Sequence, residues 1–233
     1  HQPRGKQVRN PHGIWYTPTS GIWQTVWLEP VAPSHLRTLR ITPDVDDGSV
    51  LVQANALNTR GKPAFKVQVL DGDRVIREGT LDTMPSTRSI PPQISPTLKL
   101  AVPNAKLWSP ESPALYEFQA EILSGNDVLD RVSVPLGIRL FRFDPDSGFF
   151  LNGRNMKIKG VCLHHDSGCL GAAVPARVWA ERLSLLKAMG CNAIRTSHNP
   201  PAPELLALTD RMGFLVLDEA FDAWRLGKCE NGY

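Results

Sequence analysis

Polar residues with chemical potential gather at three places in the last third of the chain. His164, His165 and Asp166 follow an apolar run that starts at Ile158. Arg195, His198 and Asn199 follow Asn192-Ala193-Ile194, and that stretch closes on the corner Pro200-Pro201. Asp218, Glu219, Asp222 and Trp224 follow the apolar run Phe214-Leu215-Val216-Leu217. Imidazoles, a guanidinium and carboxylates can together hold a hydroxylated substrate, orient reacting carboxylates, or ligate a metal. The metal option draws on His164, His165, Asp166, His198 and Asp218. Adjacent residues on a strand point to opposite faces, so His164-His165 would place one imidazole at a shared site, where a His-x-His pair would place two. The same rule separates Asp218 from Glu219: one would face the site and the other bond to the scaffold.

These clusters need a scaffold that brings them to one end. Val178, Trp179, Leu183, Leu185, Leu186 and Met189 form a helical stripe, with Pro175 suited to the first turn and Gly190 to the residue beyond the end. A second helix is predicted from about Pro203 to Met212, closed by Gly213. The order is β-α-β-α-β with nearly continuous apolar strands, which means parallel strands covered by helices. Polar residues after each strand lie at the carboxyl ends, where a (β/α)8 barrel keeps its active site.

Upstream, the pattern is all-β. From Leu36 to Phe143, apolar residues alternate with polar ones: Val50, Val52 and Ala54; Phe65, Val67 and Val69; Tyr116, Phe118, Ala120 and Ile122. Turn signals stand at Asp71-Gly72-Asp73 and Ser124-Gly125-Asn126-Asp127. Some seven short strands at this spacing predict an antiparallel immunoglobulin-type sandwich. Ile22 to Leu28 also alternates and reads as a strand. Trp15, Trp23 and Trp27 crowd it, either to stack on sugar rings or to pack a sheet. Glu29 to Pro33 reads as a linker.

Composition narrows the function classes. The chain has 233 residues, 42% hydrophobic and 21% charged, with a formal net charge of +3 and no basic run. That argues against a nucleic-acid partner, and no apolar stretch reaches membrane-spanning length. The first residue is His1, so a mature chain or a piece of a larger one is expected. The four cysteines, Cys162, Cys169, Cys191 and Cys229, lack C-x-x-C spacing and read as free thiols.

Several segments resemble glycoside hydrolase family 2, the family of β-galactosidases, β-glucuronidases and β-mannosidases. They are Leu151-Asn152-Gly153; Lys159-Gly160-Val161-Cys162-Leu163-His164-His165-Asp166; Asn192 through Pro201; and Asp210-Arg211-Met212-Gly213-Phe214-Leu215-Val216-Leu217-Asp218-Glu219-Ala220. The resemblance implies a multidomain β plus α/β chain. Residues 1–30 resemble the tail of a jelly-roll sugar-binding-type domain, and 31–143 an immunoglobulin-like β-sandwich. Residues 144–233 resemble the first part of a (β/α)8 TIM barrel.

It also implies a carbohydrate (β-glycoside) substrate, β-galactosidase-like chemistry and no cofactor. His164 and His198 match histidines that line the sugar pocket, and Arg195 an arginine that orients the catalytic carboxylates. Asn199, Asp222 and Trp224 are placed with the substrate contacts, and His165, Asp166, Asp218 and Glu219 with the supporting residues. The family's two catalytic glutamates sit on later barrel strands, the acid/base after an asparagine. No Asn-Glu dipeptide occurs here, so both are expected beyond Tyr233 and the isolated chain is expected to be inactive. Where some family members bind magnesium, Ala223 and Arg225 stand, so no metal is expected. The family setting points to a periplasmic or extracellular protein, while the residues leave the compartment open. The exposed strand edges of a partial barrel invite association into a homo-oligomer. Two further readings stay open: a non-catalytic carbohydrate-binding or spacer module, and a metal-dependent barrel hydrolase.

Overall fold

A computed structural model describes residues 6–59, 61–86 and 90–221. Asp222 and Trp224 lie outside the described residues. The chain forms two compact units, one of Leu28–Met156 and one of His1–Trp27 with Lys157–Tyr233.

In the first unit, eight strands build two antiparallel sheets. They are β1 (His35–Asp44), β2 (Ser49–Leu57), β3 (Ala64–Asp71), β4 (Arg74–Asp82), β5 (Gln93–Ile94), β6 (Thr97–Ala101), β7 (Tyr116–Ser124) and β8 (Asp127–Leu136). One sheet runs β1-β2-β5 with β6 also on β2, and the other β4-β3-β7-β8. The period-2 pattern sets the register: Phe65 opposes Ile122, Val67 opposes Ala120 and Val69 opposes Phe118, all fully buried. Val50, Val52 and Ala56 of the other sheet share that core. This is the immunoglobulin-like sandwich. Tyr116, at the start of β7, accepts a 2.7 Å hydrogen bond at its hydroxyl from the Lys106 backbone N–H, the corner expected of that fold. A small sheet follows, of β9 (Phe141–Asp144), β10 (Gly148–Leu151) and β11 (Arg154–Asn155). Asn152 in its turn donates to the Trp108 carbonyl and so ties the sheet to this unit.

In the second unit, β12 (Gly160–His164), α1 (Ala176–Ala188), β13 (Ala193–Ser197), α2 (Pro203–Met212) and β14 (Leu215–Leu217) alternate, and the three strands pair in parallel in chain order. This is the start of the TIM barrel. Pro175 precedes the first residue of α1, and Gly213 ends α2 at φ 74°, a left-handed position that favours glycine. Trp179, Leu183 and Leu205 of the helices bury Ile194 and Phe214 against them, with Leu163 and Val216 at the margin. Strand alternation therefore turns Cys162, Arg195 and Leu217, which lie side by side in register, to the other face.

Gly160 opens β12 opposite Ala193. A Cβ at Gly160 would stand 3.0 Å from the Ala193 carbonyl oxygen and 3.1 Å from its Cβ. Backbone cannot swing aside as a flexible side chain can. Gly160→Ala is therefore expected to destabilise this unit by about 1–3 kcal/mol. Faster amide exchange across β13 than in the parent chain would show it; unchanged exchange would mean that the strands part at no cost.

Two expectations differ in detail. Ile22 to Leu28 forms no strand. Alternation builds a strand only where a neighbour completes the hydrogen-bond ladder, and none of the described strands pairs with this segment; Ile22, Val26 and Leu28 are exposed. Cys162, whose place beside a predicted strand leads one to expect a small packed hydrophobe, is exposed. Cys162, Cys169 and Cys191 are free thiols, and Cys229 lies outside the described residues. No described helix is long and apolar enough to cross a membrane.

Candidate active-site wall

The carboxyl ends of β12, β13 and β14 bring five of the expected residues into one network. Arg195 leaves the open face of β13, and its Nη2 lies 3.0 Å from Oε1 and 2.9 Å from Oε2 of Glu219, just past β14. His198 Nδ1 lies 2.9 Å from the same Oε2. The side chain of His198 is 7% exposed, and the Ser197–His198 peptide is cis. His164, the last residue of β12, packs its ring edge-on to His198, centroids 5.3 Å apart.

Beneath them the backbone of the third strand end is fixed by a hydroxyl. Thr196 Oγ1 accepts from the Glu219 N–H at 3.0 Å and donates to Asp218 Oδ1 at 3.2 Å. The two adjacent carboxylates thus divide their work: Glu219 turns to Arg195 and His198, and Asp218 bonds to the scaffold.

Charge follows geometry. Partial burial alone would raise the Glu219 carboxyl, but the hydrogen bonds and charges of His198 and Arg195 outweigh it and hold the group below its ordinary value. Arg195 is raised, chiefly by its bond to Glu219. His164 and His165 are lowered, chiefly by burial, so both are neutral at pH 7. A low carboxylate pKa suits Glu219 to a fixed negative charge rather than to a proton donor, which needs a raised one.

The remaining expected residues take outer places. His165 donates to or accepts from the Thr19 hydroxyl at 3.3 Å and meets Trp23 edge-on at 5.6 Å. Asp166 is exposed, and it is its carbonyl, not its carboxylate, that accepts from Arg182 at 3.0 Å. Asn199 lines a cavity of about 30 Å³ with Trp23, His165, Val174, Trp179 and Leu205. Among the described residues no group of three or more His, Cys, Asp or Glu converges so as to hold a metal ion.

Sequence reasoning missed the contribution of residues 6–25. Tyr16 meets His164 and His165 edge-on and lies nearly parallel to His198, at 6.4 Å and 21°. Lys6 Nζ stands 3.0 Å from His198 Nε2. Gln24 donates to the Pro200 carbonyl and Thr25 to Glu204. The crowding of aromatics here was the one local signal, and it did not say what they would touch.

Residues 34–139 match the profile of glycosyl hydrolases family 2, and residues 145–226 match that of the glycosyl hydrolases family 2 TIM barrel domain. The chain belongs to glycoside hydrolase family 2. A β-galactosidase of Bacteroides ovatus is 39% identical over 99% of this chain and 28% of its own length. A putative β-glucuronidase of Formosa agariphila is 36% identical over 92% of the chain and 20% of its length. A crystal structure of a family 2 member from Bacteroides cellulosilyticus superposes with a TM-score of 0.83 at 36% identity, covering 93% of this chain and 28% of that one. The chain therefore spans under a third of the length of these family 2 relatives. The family's sandwich and the first strands of its barrel account for residues 34–139 and 145–226.

Proposed function

We propose that this chain supplies one wall of the sugar pocket of a retaining, β-galactosidase-like glycosidase, and that the two carboxylates which break the bond come from barrel strands outside these 233 residues. The network Arg195–Glu219–His198 carries this reading. A retaining mechanism uses a nucleophilic carboxylate and a carboxylic acid about 5–5.5 Å apart. Glu219 is tied to a guanidinium and an imidazole, and Asp218 is bonded to Thr196, so this pair is not arranged for that work. Arg195, held by Glu219 and 40% exposed, can instead orient a neighbouring carboxylate, while His164 and His198 contact sugar hydroxyls. Asn199 belongs to the same wall, with His165, Asp166 and Asp218 in support, while Asp222 and Trp224, outside the described residues, are assigned to substrate contact by their sequence match alone.

In this reading residues 1–30 end a jelly-roll domain, 31–143 form the sandwich and 144–233 begin the barrel. The β-galactosidase named above matches more of this chain than the putative β-glucuronidase does, which favours a β-galactoside.

The 233-residue chain is expected to hydrolyse neither 4-nitrophenyl β-D-galactopyranoside nor the glucuronide. The parent polypeptide is expected to cleave the galactoside with retention at the anomeric carbon, followed by NMR. Turnover by the short chain that vanishes in Glu219→Gln would overturn the proposal, as would an inverted product from the parent.

A further inference from the structure

His198 is nearly enclosed, so each of its ring nitrogens must find its partner within the protein. Nδ1 faces the Glu219 carboxylate at 2.9 Å. Nε2 faces the Lys6 ammonium at 3.0 Å. A carboxylate held ionised only accepts, and an ammonium only donates. One assignment satisfies both: Nδ1 carries the proton and gives it to Glu219, and Nε2 presents its lone pair to Lys6. The Arg195 guanidinium, 3.5 Å from Nδ1, is also a pure donor, so that approach is proximity and its bond goes to Glu219.

The placement of Lys6 is built. The Tyr16 N–H donates to the Lys6 carbonyl at 3.1 Å, and the Val8 N–H to the Tyr16 carbonyl at 3.0 Å. Gln7 Oε1 accepts from the Thr19 N–H at 2.7 Å. These bonds deliver Lys6 and Tyr16 together, the ammonium to the edge of the imidazole and the phenol ring to its face.

We infer that Lys6 is a positioning residue for His198: its ammonium fixes Nε2 as the acceptor and leaves Nδ1 as the donor to Glu219. Resting on the sugar-pocket reading, the consequence is a notch that takes a hydroxyl both ways. The two atoms are 3.0 Å apart, so a sugar O–H takes the Nε2 lone pair only as the ammonium withdraws; it then donates to Nε2 and accepts from Nζ, and no proton changes owner. An imidazolium in that place offers only donors and loses half of the match. Among the described residues, the groups facing the ring are Glu219, Arg195, His164, Tyr16 and Lys6. Removing Lys6 leaves Nε2 without its donor.

The test is the ring ¹⁵N spectrum of His198 in the labelled 233-residue chain at pH 7. The parent chain is expected to show a protonated Nδ1 and an unprotonated Nε2. In Lys6→Met, which removes the donor, the Nε2 resonance is expected to move downfield, away from the position of a hydrogen-bonded acceptor. Lys6→Arg and Lys6→Gln, which keep a donor, are expected to leave it unprotonated. Amide protection across Ala193–Ser197 checks the fold of each variant. A protonated Nε2 in the parent chain overturns the inference, whatever the variants do. So does an unmoved Nε2 in a folded Lys6→Met. If the parent spectrum is as expected but, in the complete polypeptide, methyl β-D-galactopyranoside at a concentration that inhibits hydrolysis leaves the Nε2 resonance unchanged, the inference about Lys6 stands and the pocket reading falls.

Discussion

Glu219→Gln is expected to dismantle the strand-end network. The amide keeps the shape of the carboxylate but not its charge. Arg195 then loses its counter-ion and His198 the acceptor that orders Nδ1. Removing one member of a well-shielded ion pair costs up to about 3–5 kcal/mol, because the partner is left uncompensated. The 40% exposure of Arg195 lets water share the load, which brings the expected cost nearer to about 1–2 kcal/mol. In the complete glycosidase that we propose, the functional loss is larger. A carboxylate displaced by an ångström costs on the order of 100-fold in turnover, so kcat should fall at least that far with a smaller change in KM. A variant within threefold of the parent enzyme would show that Arg195 orients nothing.

The same substitution has a signature in acid. The folded value of Glu219 lies below its ordinary 4.5. Its contribution to stability is thus complete above about pH 4.5 and disappears as the pH falls through the folded value. His164 and His165 act earlier. Their folded values lie below the ordinary 6.5, so the unfolded chain binds their protons first and stability falls on acidification from about that point. Protection factors of the β13 amides, which divide out the pH-dependent intrinsic exchange rate, should therefore fall in two steps on acidification. Glu219→Gln should erase the lower step and leave the upper one. If both steps persist unchanged in the variant, Glu219 is not the group responsible.

The second large effect belongs to the sandwich. Phe118 is fully buried and stands between Val69 on β3 and Val134 on β8 in register. Truncation to alanine removes an aromatic ring from the middle of two paired strands, and the flanking backbone, held by ladders on both sides, cannot close on the void. The expected loss is about 3–5 kcal/mol, a large share of the roughly 5–15 kcal/mol that holds an ordinary domain. Phe118→Leu should recover most of it. Exchange of the β3 and β7 amides reads this unit separately from the barrel strands. A loss below about 1 kcal/mol would mean that the core relaxes into the gap.

Much of this was legible in the residues alone. Apolar residues every second position along β2, β3 and β7 specify strands with one wet face, and the stripe from Trp179 to Met189 specifies a helix. The chain order βαβαβ specifies parallel strands, hence polar residues collected at one end. Adjacency on a strand correctly separated the roles of Asp218 and Glu219. Each of these is a local rule, written over a few residues. What no local rule reaches is contact between distant segments. Ile22 to Leu28 alternates as a strand should, yet a strand exists only where a second one accepts its hydrogen bonds. Lys6 and His198 are 192 positions apart, and nothing in either neighbourhood names the other. The sequence by itself determined which elements form and which residues stand at their ends. Only the tertiary structure decided that an N-terminal lysine and tyrosine would close on the histidines, because that pairing depends on how two segments fold back on one another and not on the pattern within either.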